Sequence, residues 1–223
     1  MSSIRIRVFL GLAGLVLLPG CSSTGPYFVA KQEPWRAQEE RACIASGAVP
    51  ETPYIRSRSA LGGPSACGAE QPFEMAAAYR GRVRLKPAAL LRCSMIPQVD
   101  RWVATVIEPN ARRNFGVSVA EVKVAGSYAC RPMNNKVGGN LSEHGHANAL
   151  DVSGFILADG RHISVKRGWR GNWNERTFLR AVHKGACAQF STVLGPDYDS
   201  NHHDHFHVDL MRRGRYGARR VCK

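Results

Sequence analysis

Two short stretches hold most of the residues able to do chemistry. One runs Ser142-Glu143-His144-Gly145-His146-Ala147-Asn148-Ala149-Leu150-Asp151. The other runs Asn201-His202-His203-Asp204-His205-Phe206-His207-Val208-Asp209, and six of the chain's eight histidines lie in the two together. In the second, Phe206, Val208 and Leu210 are apolar at period two. A strand there turns them to a core and leaves His205, His207 and Asp209 on the opposite face. Two imidazoles side by side suit a division of labour, one binding a metal and the other acting on a water beside it. In the first stretch His144 comes from a loop and Asp151, seven residues on, from the strand that follows. His144, Asp151 and one histidine of the downstream His-x-His together offer two nitrogens and one oxygen. That set suits Zn2+ and leaves the fourth tetrahedral position for water. A histidine-rich tract that only scavenges metal needs no core-facing residues between its histidines, and this one has them.

These motifs resemble a superfamily of zinc peptidases. It includes D-Ala-D-Ala carboxypeptidases, penicillin-insensitive murein endopeptidases, vancomycin-resistance dipeptidases and the hedgehog signalling domain. Its pattern is a His, six residues, an Asp, then a later His-x-His or Glu-x-x-His. Within it, Cys130-Arg131-Pro132-Met133-Asn134-Asn135, Ser142-Glu143-His144 and His202-x-x-His205-x-His207 look most like the bacterial extensin-like C-terminal domain family. The resemblance spans about residues 60 to 215 and is more specific for fold and metal than for substrate. It implies an α+β domain over residues 60–223, in which a small antiparallel sheet carries the site and helices pack on one side.

The resemblance also implies zinc held by His144, Asp151 and His207, and it puts His205 at the position of the catalytic histidine. Arg131 matches an arginine with which relatives bind a substrate carboxylate or carbonyl, a task its fork suits. Ser142 is expected to orient substrate or to brace its loop, and His202 to support a developing oxyanion. The implied reaction is hydrolysis of peptide bonds in peptidoglycan stems or cross-links, D,D or L,D, as endopeptidase or carboxypeptidase. The hedgehog domain shows the same fold used as a binding module. A second expectation is therefore a non-catalytic, zinc-containing peptidoglycan-binding or envelope-tethering protein, which a fourth ligand from His146 or His202 would mark. One departure matters for the base. Dipeptidase relatives carry a Glu three residues before the last ligand. Here Asp204 stands there, a methylene shorter and on the other face of a regular strand, so His205 is the expected base. His146 and His203 are expected to be solvated or supporting, His183 structural, and Asp209 an orienting partner of His207.

The elements that must position these residues are partly readable. Val99, Trp102, Val103, Val106 and Ile107 form one stripe of a helix over Gln98–Arg113, stopped by Asn114-Phe115-Gly116 and kinked near Pro109. Val117–Ala129 alternates in two phases and predicts one strand or two short ones, leading into Ser127-Tyr128. Ala149–Ile156 predicts a strand, with His162–Val165 returning as a hairpin. Asn174 is the expected cap of a helix running to about Phe190. Residues 22 to about 70, rich in Gly, Pro, Ser and charge, read as a tether and an irregular layer stapled by cysteines, with a turn at Ala66-Cys67-Gly68.

Ahead of all this, Arg5 and Arg7 precede an apolar run from Val8 to Leu18. The run is too short to span a bilayer and suits the core of a secretory signal. Leu18-Pro19-Gly20-Cys21 resembles a bacterial lipobox, which implies a signal peptide over 1–20 and lipidation at Cys21; an ordinary cleaved signal is the alternative. The implied setting is the bacterial cell envelope, on the periplasmic face. Ser22 after the cysteine leans toward the outer membrane. Beyond Cys21 an even six cysteines remain, Cys43, Cys67, Cys93, Cys130, Cys187 and Cys222, none in a CxxC pair. That count in an exported chain predicts disulfides, of 15 possible pairings, with Cys130–Cys187 the favoured bridge. The net charge of +14 attracts polyanions. Export argues against nucleic acid and points to lipid headgroups, lipopolysaccharide and carboxylate-bearing wall peptides.

Overall fold

The computed structural model describes residues 27–214 and 217–223. The expected signal, the Cys21 anchor and the first tether residues lie outside the described residues. In chain order the elements are α1 (Pro34–Ala45), β1 (Ile55–Ser57), β2 (Leu61–Gly62), β3 (Gly68–Ala69), β4 (Phe73–Ala78), β5 (Val83–Leu91), α2 (Met95–Trp102), a π-turn (Val103–Ile107), α3 (Glu108–Phe115), β6 (Val119–Gly126), β7 (Ala149–Leu157), β8 (His162–Ser164), α4 (Val165–Gly168), α5 (Trp173–Ala186), β9 (Thr192–Leu194), β10 (Phe206–Asp209) and β11 (Val221–Cys222).

The fold is mixed α+β with a mostly antiparallel sheet. The sheet is larger than the sequence suggested, with nine strands in the order β1-β4-β5-β6-β7-β10-β9-β11 and β8 beside β7. It is also not wholly antiparallel, because β5–β6 and β9–β11 run parallel. The first of these follows from the connection. The chain between β5 and β6 is the long helical crossover α2–α3, and such a crossover returns the chain in the same direction.

The expected helical stripe is the core of that crossover. Val99, Trp102, Val103 and Ile107 are buried, while Val106 is partly buried against them. The helix runs from Met95 to Phe115 through the π-turn, which sits just ahead of Pro109. A proline there withholds an N–H and crowds the turn before it, and a widened turn accommodates both. Gly116, in the left-handed region at φ 76°, ends the helix as the Asn-Phe-Gly signal predicts. Across the crossover lies α5. Trp102 donates to the Val182 carbonyl at 3.1 Å, and Phe178 meets both Phe155 of β7 and Phe115 edge-on. The cap of α5 is Asn172 rather than Asn174, its side chain accepting from Glu175 N, and the helix ends at Ala186 rather than near Phe190.

β7 organises the site. One edge pairs with β6. The other is shared, Ala149–Val152 with β10 and Gly154–Ile156 with β8. Its register with β6 slips between Lys123↔Gly154 and Val124↔Val152, so Ser153 is bulged. The bulge switches which residues face the core: Leu150 and Val152 before it, Phe155 and Leu157 after it. Asp151 is thereby aimed away from the core, a use to which bulges are commonly put.

Two expectations on the N-terminal part and the cysteines are corrected. Residues 34–45, expected as an irregular layer, form a helix. The disulfides are Cys43–Cys93, Cys67–Cys130 and Cys187–Cys222, not Cys130–Cys187. Cys130 meets the loop between β2 and β3, whereas Cys187 caps α5 beside the last strand.

Candidate metal centre and cleft

His144 sits on a 3-10 turn, Glu143–His146, capped by Ser142, whose hydroxyl accepts from His144 N at 3.4 Å. Asp151 and His207 lie opposite one another in register on β7 and β10. Their side chains converge with that of His144. His144 Nε2 is 3.2 Å from His207 Nδ1 and 3.1 Å from Asp151 Oδ2, and His207 Nδ1 is 2.9 Å from Asp151 Oδ1. The three ligand atoms all lie within 4.8 Å of one another.

The far nitrogens of both rings are engaged. His144 Nδ1 meets the Ser127 carbonyl at 2.5 Å, and His207 Nε2 meets Asp209 Oδ2 at 3.0 Å. With a metal in place, each N–H donating outward leaves the inward nitrogen its lone pair. Acceptors behind ligating imidazoles fix tautomer and ring orientation in this way. Asp209 is itself buried and accepts from Met211 N at 2.9 Å. Gly126 makes room beside the cluster, since a Cβ there would stand 3.0 Å from Asp151 Oδ2. Two imidazole nitrogens and a carboxylate, inward-facing and braced from behind, are chemically fitted to a divalent transition metal.

Without a cation the same groups hold a proton. Burial opposes charge on His207, but Asp151 and Asp209 on either side outweigh it and push its pKa up to about 10. Burial likewise opposes charge on Asp151, and the hydrogen bonds from His144 and His207 hold its carboxyl far below the ordinary carboxylate range.

The cluster opens onto a cleft of roughly 350 Å3 lined by Arg131, Ser142, Tyr198, His202, His205 and Arg213 among others. His205 just precedes β10. Its Nε2 is 3.7 Å from Asp151 Oδ1, and its Nδ1 is 2.9 Å from Asp204 Oδ1. Asp204 therefore lies behind the His205 ring, where it orients the imidazole. His202 is buried with Nδ1 held by Asp199 at 2.6 Å, and its ring lies 5.3 Å from that of His205. Burial pushes the His202 pKa down, against the pull of Asp199. Arg131 lines the cleft, and among the described residues its side chain makes one hydrogen bond, a long one of 3.4 Å from Nη1 to the Pro132 carbonyl.

The remaining histidines divide. His203 is exposed. His183 packs in an aromatic group with Trp169 and Phe206 and serves the core. His146, expected as solvated or supporting, is buried and faces a second cavity beside Arg36 and Arg92. Burial and those guanidiniums lower its pKa to about 4.

Sequence reasoning did not assign roles to Ser127, Asp199 or Arg36. Asp199 was within reach, since Asp three residues before His202 is a cap signature and it accepts from Asn201 N and His202 N. Arg36 of α1 grips Glu143, the residue before His144, through both carboxylate oxygens at 2.8 and 2.6 Å.

Residues 41–223 match the family described as extensin-like protein C-terminus. The chain belongs to that family. No curated protein and no solved structure matches it. The family match begins inside α1, so Arg36 stands just ahead of the matched region while holding the turn that carries His144.

Proposed function

We propose that this extensin-like domain is a zinc-dependent hydrolase of peptide bonds in peptidoglycan stems or cross-links, carried on an envelope lipoprotein anchored at Cys21. The observation that carries the reading is the convergence of His144, Asp151 and His207 on a cleft, with both rings braced from behind and a further imidazole, His205, held beside them. When bound, zinc supplies Lewis acidity that polarises a carbonyl and lowers the pKa of water toward about 7. The protein's own groups divide the rest. Asp204 holds the Nδ1–H of His205, leaving Nε2 to take a proton from water and to return it to the leaving amine. Arg131 offers an uncommitted fork to a substrate carboxylate. His202 lines the cleft with Nδ1 held by Asp199, and it donates from Nε2 to a developing oxyanion in its imidazolium form, which Asp199 favours and burial opposes.

The binding-module alternative called for a fourth ligand from His146 or His202. His146 faces the other cavity, and His202 is not among the three converging ligands. Both facts favour the enzyme. The test is a pair of variants assayed for zinc content and for cleavage of muropeptides. His205→Ala is expected to keep zinc and lose hydrolysis, whereas His207→Ala loses both. Full hydrolysis by zinc-loaded His205→Ala would remove the assigned base.

A further inference from the structure

The sheet face that carries Asp151 and His207 continues past the cleft, and its continuation is basic. Two cross-strand rows define it. One runs His162–Ile156–Glu121–Arg84 across β8, β7, β6 and β5, and the next runs Ser164–Gly154–Lys123–Lys86. Gly154 has no side chain, and His162 Nε2 lies 3.2 Å from where its Cβ would stand. The imidazole thus leans across that gap toward Lys123. After burial, Lys123 and Arg167 are the groups that push the His162 pKa down. Lys166 and Arg167 follow Val165 in the first turn of α4, directly after β8, and are exposed. On the same pair of strands Lys123 lies opposite Gly154 and Gly126 lies opposite Asp151, which brings the strip to the edge of the cleft.

The acids on this face are already engaged. Glu121 is 3.6 Å from Arg84, and Asp204 holds His205. Lys86, Lys123, Lys166 and Arg167 form no ion pair among the described residues. A strip of uncompensated cations on one sheet face raises the local concentration of polyanions, and its continuity with the cleft lets one polymer occupy both.

We infer that the strip Lys86–Lys123–His162–Arg167–Lys166 is a docking surface for the carboxylates of a peptidoglycan strand whose peptide enters the cleft. The inference deepens the proposed function, and its test separates the two. The chain starting after Cys21 is mixed with insoluble peptidoglycan, and the bound fraction is measured across salt concentrations. A Lys86→Glu, Lys123→Glu, Arg167→Glu variant with an unchanged melting midpoint is expected to bind at least about tenfold more weakly at low salt. Wild-type binding is expected to fall by a similar factor when the polymer's carboxylates are amidated, and to weaken as salt shortens the screening length below about 8 Å. Equal binding by variant and wild type would overturn the strip, as would charge-dependent binding to phosphatidylglycerol vesicles with none to peptidoglycan. Cleavage of a small soluble muropeptide by the unaltered chain reports on the cleft alone. If it fails while strip-dependent binding persists, the hydrolase reading falls and the docking surface stands.

Discussion

Arg36→Ala removes a guanidinium that is about one-tenth exposed from a carboxylate, Glu143, that is 3% exposed. Both Arg36–Glu143 hydrogen bonds vanish, leaving Glu143 with the bond from Asn148 Nδ2, 2.5 Å, as its remaining side-chain partner. Breaking a buried ion pair from one side costs about 3–5 kcal/mol, because the surviving charge stays buried. The retained Asn148 bond puts the expectation at the lower end, about 3 kcal/mol, and a domain of this size loses about 2–4 °C per kcal/mol. The melting midpoint should therefore drop by roughly 6–12 °C. The turn held by Glu143 also carries His144, so zinc affinity should fall about 10–100-fold, as for other groups that brace a ligand. The assay is thermal unfolding plus zinc competition with a chromophoric chelator. Arg41→Ala is the control. Arg41 pairs with Glu70 at 2.6 Å, but both are about half exposed, and such pairs contribute under about 1 kcal/mol. Arg36→Met with Glu143→Met should recover much of the loss, since apolar replacement of a whole buried pair is often neutral. If Arg36→Ala behaves like Arg41→Ala in both melting and zinc affinity, α1 does not hold the site.

Three further outcomes are expected. His207 has its folded pKa raised to about 10 by Asp151 and Asp209. Its contribution to the stability of the metal-free chain is thus fully present below about 6.5 and lost as pH rises through about 10. Zinc must displace that proton, so affinity should climb up to tenfold per pH unit over the same window, measured by competition titration; a flat profile would refute the His207 assignment. Reduction should destabilise the fold. The Cys43–Cys93 bridge closes a separation of 50 residues, worth about 4 kcal/mol in the chain-entropy account, and unchanged melting after thiol counting confirms full reduction would contradict it. Gly126→Ala would press a Cβ to 3.0 Å from Asp151 Oδ2 and should lower zinc affinity about tenfold. Unaltered affinity would show that Asp151 yields freely.

What was legible in the sequence was whatever carried an apolar period. The Val99–Ile107 stripe and the Phe206–Val208 alternation named a helix and a strand with near-correct bounds, and the second placed His207 and Asp209 on one face. α1 escaped because its buried residues are Arg36 and Glu40, and an ionic interface leaves no hydrophobic period. β4 and β5 escaped for two reasons. Phe73–Ala78 ends in three alanines, and β5 contains Pro87, which argues against a strand unless it lies where no ladder N–H is needed. The cross-strand register that sets Asp151 opposite His207, and the bulge at Ser153 that turns Asp151 toward the cleft, are long-range facts. So is the pairing of Cys67 with Cys130. No local pattern encodes them.

The most direct test of the central claim is digestion of purified muropeptides by the chain beginning after Cys21, with zinc and with chelator, read by mass spectrometry. The account predicts new fragments that appear with zinc and disappear with chelator, their masses naming the bond cut. Intact muropeptides after incubation with protein shown to hold one zinc per chain would contradict it.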